Sequence, residues 1–420
     1  MAMPTHEAHS ISLNIPNRSR AILMNNMSNQ TGKRSLKIAV ILAIVIVAVI
    51  AGGLGYQMLE NKSMTSETSM MVSSSATQPA GPVSLLGAGA TFPAPLLQTW
   101  TVQYNKIYPG VTINYNPIGS GGGIQQITQK TVDFGASDAP LSDSQLADAT
   151  GLVLMPETLG GVAVTYNLQT YGISNSTTIN FTGDILVGIY MGQIMKWNDA
   201  SIQAVNPGVA LPSAAITAVH RSDGSGTTYA FTDYLSTVSP SWKSTIGRST
   251  SVTWPVDKTA SGVGAKGNAG VAGAVVNAPG AVGYVDVIYA IGKHLGIGAV
   301  KNAAGNFIVP TLETIGNAAA AATGTPNPSD LRLHIVNAQG AQSYPISTYT
   351  YVLVYKDMSL NPSMNLDKAK ALAKFLWWAV HDGQQYAPGL VYVPLPQKIV
   401  AADEQLLLSL NYQGQPLISQ

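Results

Sequence analysis

Two patterns of apolar residues divide this chain. Residues Ile38 to Tyr56 form an unbroken run of 19 residues without charge. From Leu85 onward, short apolar runs alternate with stretches of helical period. Alternation across Val111–Tyr115 predicts a strand with one buried face. Ile124–Lys130 reads as a helix, Val132–Ala136 as a short buried strand and Gly161–Tyr166 as a second one. Ile185–Met191 and Trp242–Ile246 read as helical or loop-packing segments. Tyr349–Tyr355 is a strong strand, Asp367–His381 a helix that begins after Asn365, and the last helix is roughly Pro396–Leu410. Strands alternating with helices predict the α/β class. No repeat stands out at a period of 20–50 residues.

The apolar run is long enough to matter by itself. As a helix it spans about 28 Å at ~1.5 Å per residue, close to the hydrocarbon thickness of a bilayer. Lys33, Arg34 and Lys37 precede it directly, which places residues 1–37 in the cytoplasm and the rest of the chain outside. Two readings of residues 38–56 stay open: an uncleaved transmembrane anchor, or a signal segment cut near Ala51 or Gly53. Met24 and Met27 are alternative starts. Residues 57–84, rich in Ser, Thr, Met and Pro from Asn61 to Ser84, have no helical or strand period and read as a flexible tether. Asn61-Lys62-Ser63, Asn175-Ser176-Thr177 and Asn180-Phe181-Thr182 fit the glycosylation triplet.

Composition narrows the function classes. Apolar residues make up 46% of the chain, enough for a sizeable core, whereas charged residues are only 10%, well below the usual quarter. Net charge is +1. Five basic residues and one acid precede Tyr56, so the remainder carries 17 basic and 20 acidic residues and is near −3. That argues against nucleic acid, whose phosphate backbone needs a basic surface. Any anion must be held by local geometry. The chain has no cysteine, which excludes disulfides, thiol catalysis, thiolate metal sites and a lipid-modified cysteine. The six histidines, His6, His9, His220, His294, His334 and His381, show no metal-ligand spacing. Ser120 and Ser225 lack a paired His–Asp constellation, so the chain reads as a non-enzyme without cofactor or metal.

Three polar regions, far apart in the chain, precede helix-like stretches. Gly-Ala-Gly-Ala-Thr-Phe-Pro-Ala-Pro, Gly87–Pro95, leads into the apolar-patterned run Leu96–Tyr108. Gly-Ser-Gly-Gly-Gly, Gly119–Gly123, leads into Ile124–Lys130 and is followed by Phe-Gly-Ala-Ser-Asp-Ala-Pro, Phe134–Pro140. Arg-Ser-Asp-Gly-Ser-Gly-Thr, Arg221–Thr227, precedes Tyr229–Leu235. A helix start is a ready anion site, because its first N–H groups lack partners and the dipole favours negative charge. Arg221 adds a planar cation able to bond two oxygens at once. Asp223 is placed to pair with Arg221 and hold its plane. Each segment also has a plainer reading: a strand–turn–helix junction, a flexible loop, a surface salt bridge of Arg221. For Asp138 it is the N-cap of a helix over Leu141–Ala149, a role Ser137 or Ser142 could fill instead.

In this order, and with Gly-Ala-Val-Gly-Tyr-Val-Asp at Gly280–Asp286, these segments resemble the phosphate-binding protein family of the high-affinity phosphate ABC transporters. The likeness runs from about Val83 to the C-terminus. It implies a type II periplasmic-binding-protein-like fold, two α/β lobes with a ligand cleft between them. Crossovers near Leu159–Gly161 and Tyr344–Thr348 would make lobe I residues 84–160 plus 345–420 and lobe II residues 161–344. It implies anion ligands in the Thr91 hydroxyl, the Phe92 N–H, Ser120, Asp138, Arg221, Ser225, Gly226 and Thr227. The partners it implies are inorganic phosphate and a permease with its ATPase, served by a monomer. The chain departs from the family at Gly121, where a second serine is usual, and at His220, which replaces a second arginine and is expected beside the site as a donor. Asp138 decides between oxyanions: facing an anion, a carboxylate is useful only if the ligand carries a proton to share. Rival readings are a binder of sulfate, molybdate or a phosphonate, a phosphatase-like hydrolase, and a surface adhesin.

Overall fold

The structure, a computed structural model, describes residues 81–322 and 326–418. The expected segment 1–37, the expected anchor or signal 38–56, most of the expected tether and the Asn61 triplet lie outside the described residues. No helix among the described residues is long and apolar enough to cross a membrane.

The chain opens with β1 (Val83–Gly89), α1 (Ala94–Ile107), β2 (Val111–Pro117), α2 (Ser120–Thr128) and β3 (Phe134–Ser137). β1 pairs in parallel with both β2 and β3. The short helix Asp143–Asp148 leads to β4 (Leu152–Tyr166), followed by β5 (Asn180–Phe181), the helix Gly183–Tyr190 and β6 (Thr217–Arg221). Next come α3 (Gly226–Val238), the helix Pro240–Thr245, β7 (Gly262–Ala265), α4 (Gly267–Asn277), β8 (Ala281–Asp286), β9 (Gly296–Ile297), β10 (Ala299–Lys301) and β11 (Phe307–Ile308). β12 (Ser347–Tyr355), α5 (Leu366–Val380) and α6 (Gln397–Leu408) complete the main elements. The architecture is mixed α/β and two-lobed, as expected.

One nine-stranded sheet runs in the order β2-β1-β3-β12-β4-β8-β6-β7, with β9 added on β4. β4 joins its two halves. Its first part pairs antiparallel with β12 over Leu152–Gly161, and its second part pairs antiparallel with β8 over Val162–Tyr166. The sequence pattern yields only Gly161–Tyr166 of this strand. The first part carries Pro156, Glu157 and Thr158, a polar break that hides it, although all three are buried. Burial on both faces removes the alternation that pattern reading needs.

The local signals work as physical chemistry requires. Asn365 caps α5 by accepting from Lys368 N at 2.9 Å. α1 buries Ala94, Leu96, Leu97, Trp100 and Tyr104 on one face. Trp100 and Trp197, fully buried, give their indole N–H to Gly383 O at 2.6 Å and Gly280 O at 2.8 Å, as a buried tryptophan must. Trp242–Ile246 covers the end of the helix Pro240–Thr245 and its C-cap Ile246, with Ser239 as the N-cap. Two of the glycosylation triplets are engaged in the fold. Asn175 Nδ2 donates to His294 O at 2.6 Å, and Asn180 Nδ2 donates to Val205 O at 3.0 Å.

Candidate anion-binding site

β1 and β3, parallel to each other, end at Gly89 and Ser137, and β6, parallel to β7 and β8, ends at Arg221; most of the expected site residues lie at these ends and in the loops after them. A crevice beyond the carboxyl ends of parallel strands is where α/β sheets place ligands. The segments meet through direct hydrogen bonds. Ser120 Oγ, fully buried, accepts from Gly226 N at 2.9 Å and from Asp138 N at 3.3 Å. Gly121 N donates to Gly224 O at 3.0 Å. Gly119 has φ +93°, and a Cβ there would lie 2.4 Å from Asp223 Oδ2. Only glycine allows this approach.

Arg221 is buried at 4% exposure, and its plane is set by Asp223 through Nε–Oδ1 at 2.7 Å and Nη2–Oδ2 at 2.5 Å. Asp223 Oδ1 also accepts from Gly267 N at 3.0 Å. Burial raises the Asp223 pKa, but Arg221 and the Gly267 N–H outweigh it and hold the carboxyl below its ordinary value. The ion pair uses one edge of the guanidinium; Nη1 reaches Thr227 Oγ1 at 3.4 Å, and further N–H groups of the fork can still donate.

The four candidate hydroxyls share one property. Ser120 accepts from two backbone N–H groups, as above. Ser225, the N-cap of α3, accepts from Thr228 N at 3.0 Å. Thr91 accepts from Asn268 N at 3.2 Å and Asn268 Nδ2 at 3.0 Å. Thr227 accepts from Asn268 Nδ2 at 3.1 Å as well as from Arg221. A hydroxyl has one proton and two lone pairs. Each of these uses lone pairs on the protein and keeps its proton for a ligand, the polarity an oxyanion requires. The start of α3 adds the dipole and the first N–H groups around Gly226 and Thr227.

Asp138 is the exception in sign. It is 1% exposed, and Oδ1 accepts from the Thr350 hydroxyl at 3.1 Å. A Cβ on Gly226 would lie 2.6 Å from Oδ2, so Oδ2 faces the start of α3. Burial pushes the Asp138 pKa up to about 7, against the pull of Thr350 and Arg221. Capping is not its role. Ser142 caps the helix Asp143–Asp148 in a reciprocal box with Gln145, at 3.2 Å and 2.9 Å.

His220 departs from expectation. It is not a donor beside the anion. Successive residues of a strand point to opposite faces, so Arg221 turns inward and His220 turns away. Its Nε2 lies 2.8 Å from Asp257 Oδ1, and its ring stacks on Trp254 at 5.0 Å.

Several residues of the site were not legible in the sequence. Asn268 ties Thr91 to Thr227 and accepts from Asp286 N at 3.0 Å through Oδ1. Tyr289 donates to Thr91 O at 2.6 Å. The Tyr392 hydroxyl lies 2.6 Å from both Phe92 O and Asp286 Oδ2. These bonds hold the turn that presents Thr91 and the fully buried Phe92. Burial raises the Asp286 carboxyl well above its usual range. Asn268 carried one usable signal, a glycine just before a helix start, the same feature that marks Ser120. The tyrosines carried none, since their partners are backbone carbonyls far away in the chain.

A family model described as a PBP superfamily domain matches residues 75–382. The phosphate-binding protein PstS of Xylella fastidiosa (strain 9a5c) is 43% identical over 318 residues, covering 76% of this chain and 83% of that one. The phosphate-binding protein PstS of Methanocaldococcus jannaschii is 38% identical over 326 residues, covering 74% of this chain and 82% of that one. Among solved structures, a human phosphate binding apolipoprotein shares the fold with a TM-score of 0.60, at 20% identity, over 76% of this chain and 93% of that one. On the family model and these relatives, the chain belongs to the PBP superfamily and, within it, to the PstS family of phosphate-binding proteins.

Proposed function

We propose that this protein binds inorganic phosphate outside the cytoplasmic membrane and delivers it to an ABC-type permease driven by its ATPase. The observation that supports the reading is Asp138, a buried carboxyl set against Ser120 and the start of α3. Thr91, Phe92 N–H, Ser120, Arg221, Ser225, Gly226 and Thr227 supply donors, and Asp138 supplies the one acceptor, matched to an oxyanion that keeps a proton. Sulfate and molybdate have no such proton at neutral pH. The relatives are named as binding proteins, and the site is read the same way, without catalysis. A calorimetric panel of phosphate, sulfate and a phosphonate tests the assignment; equal affinity for sulfate and phosphate at neutral pH refutes it.

Lobe I is proposed as residues 84–160 plus 345–420 and lobe II as residues 161–344. The change of β4 partner from β12 to β8 between Gly161 and Val162 supports this division. The Ser120–Gly226 and Gly121–Gly224 bonds then join the lobes, and closure over the anion is the state recognised by the permease. The working unit is a monomer.

Arg221→Lys should not be conservative. A lysine cannot present the planar fork that Asp223 sets. Loss of one charged hydrogen bond costs roughly 1.5–3 kcal/mol, about 10- to 150-fold in affinity. Phosphate titration by calorimetry reads this directly, and unchanged affinity would place Arg221 outside the ligand set.

Residues 38–56 are proposed to retain the protein on the membrane, with residues 57–84 as a tether that raises the local concentration of the cleft near the permease. Fractionation with N-terminal sequencing should find the native protein in the membrane. A soluble species beginning near Gly52 would make the segment a cleaved signal.

A further inference from the structure

Behind Asp138 lies a second carboxyl, outside the expected ligand set. Glu157 is fully buried on β4. The register with β12 shifts at this point: Pro156 pairs with Tyr351 and Thr158 with Thr350, leaving Glu157 with no residue opposite it. This is a β-bulge, a feature that re-aims a side chain beside a functional site. Pro156, which has no N–H for the ladder, sits within it. Glu157 Oε1 lies 3.0 Å from Thr350 Oγ1, which lies 3.1 Å from Asp138 Oδ1. Glu157 Oε2 has no partner among the described residues.

The threonine hydroxyl has a single proton, yet a carboxyl oxygen stands on each side of it. If both carboxyls were ionised, one oxygen would face the lone pairs of the hydroxyl, a buried charge without compensation. One proton on the pair removes the conflict and gives the chain a direction. Arg221 stabilises the charge on Asp138, whereas Glu157 has no cation among its neighbours and faces the Asp138 charge. The proton therefore belongs on Glu157.

We propose that Glu157 is a positioning residue for anion recognition: as the neutral acid it donates to Thr350, Thr350 donates to Asp138 Oδ1, and Asp138 is held as the carboxylate whose Oδ2 accepts the proton of the ligand. The inference rests on the phosphate reading above. Burial pushes Glu157 up to about 8, against the Thr350 bond and with the help of the Asp138 charge, whereas Asp138 reaches about 7. The other ionisable groups around the pair are Tyr115, Tyr289, Tyr392, Asp286 and Arg221. Burial raises the three tyrosines above their usual range, so they stay neutral across the range concerned. Above about pH 8 the ligand-free protein loses the Glu157 proton, and phosphate binding must take it back.

The test is phosphate calorimetry at pH 7 and pH 9 in buffers of different ionisation enthalpy, on the wild type, Glu157→Gln, Thr350→Val and Thr350→Ser. Between pH 7 and pH 9 the wild-type Kd should rise about tenfold more than that of Glu157→Gln, whose amide keeps the donor without titrating. The wild type should also take up about one more proton per phosphate at pH 9. Thr350→Val should weaken binding at both pH values, and Thr350→Ser, which keeps the hydroxyl, should restore it. Infrared spectra of ligand-free protein at pH 7 give a readout without phosphate: the neutral carboxyl band of Glu157, seen as the difference between the wild type and Glu157→Gln. Equal pH profiles and proton uptake in the wild type and Glu157→Gln, or no difference in that band, overturn the relay. If the band difference is present and no variant binds phosphate, the relay stands and the phosphate reading fails.

Discussion

Sulfate should bind this protein several thousand-fold more weakly than phosphate at pH 8, and Asp138→Asn should close most of that gap. In the wild type the Asp138 carboxylate meets a bare sulfate oxygen with no proton between them. Both are buried acceptors, and sites built to pair a ligand group reject an analogue lacking it by about 10⁴-fold. The asparagine amide can turn its N–H₂ toward either anion. Phosphate affinity then falls moderately and sulfate affinity rises. The wild type has its own pH signature. The Asp138 pKa is raised to about 7, so the ligand-free carboxyl is mostly ionised at pH 8 and mostly protonated at pH 6. The protonated acid donates to sulfate. Sulfate affinity should therefore grow about tenfold as pH falls from 8 to 6. Asp138→Asn should show no such trend. A wild type that binds sulfate equally at both pH values, or a variant that keeps full discrimination, would remove Asp138 from the role of discriminator.

Gly226→Ala should cost more affinity than any hydroxyl deletion in the site while leaving the fold intact. A Cβ at this position would stand 2.5 Å from Asp138 Cβ and 2.6 Å from both Asp138 Oδ2 and Ser120 Oγ. Those atoms belong to backbone-anchored, fully packed residues, so the loop or the whole of α3 must retreat. Overpacking of this kind costs about 1–3 kcal/mol, and loss of the Ser120–Gly226 bond adds about 1 kcal/mol. Together they amount to roughly 30- to 1000-fold in phosphate affinity. Gly226 opens α3, where alanine is the better helix former by about 0.5–1 kcal/mol. Because the proposed lobes separate without ligand, the clash arises only on closure, and Tm should hold or rise while Kd worsens. A variant with unchanged affinity would show that the closed contact between the two segments is not part of binding.

What surrounds Arg221 and Asp138 bears on their plainer readings. Arg221 on a surface would have been an ordinary ion pair of small value; the structure buries it with Asp223 instead. Asp138 beside a helix start could have been a cap, but Ser142 and Gln145 fill that role four and seven residues later. His220 shows the opposite case. Its neighbourhood to Arg221 in the chain suggested a place in the site, and strand alternation sends it to Asp257 and Trp254.

The sequence by itself determined what is local. Glycines and hydroxyls before a helix start and an arginine two residues from an aspartate are short-range features; they mark the segments of Thr91, Ser120, Arg221 and Ser225, and the family resemblance makes those residues the expected ligands. Pattern likewise locates α5 and β12, because one is amphipathic and the other, buried throughout, is rich in tyrosine and valine. Only the tertiary structure decided which partners those groups meet. Asn268 reaches Thr91 across 177 positions, Tyr392 reaches Phe92 across 300, and Thr350 reaches Asp138 across 212. Such bonds leave no periodic trace, since each depends on which distant segments the fold brings together, as the sheet order does for Thr350 by placing β12 between β3 and β4. Glu157 is the clearest instance. Nothing in the sequence pattern marks this glutamate, and a bulge in a doubly buried strand makes it a buried acid beside the site.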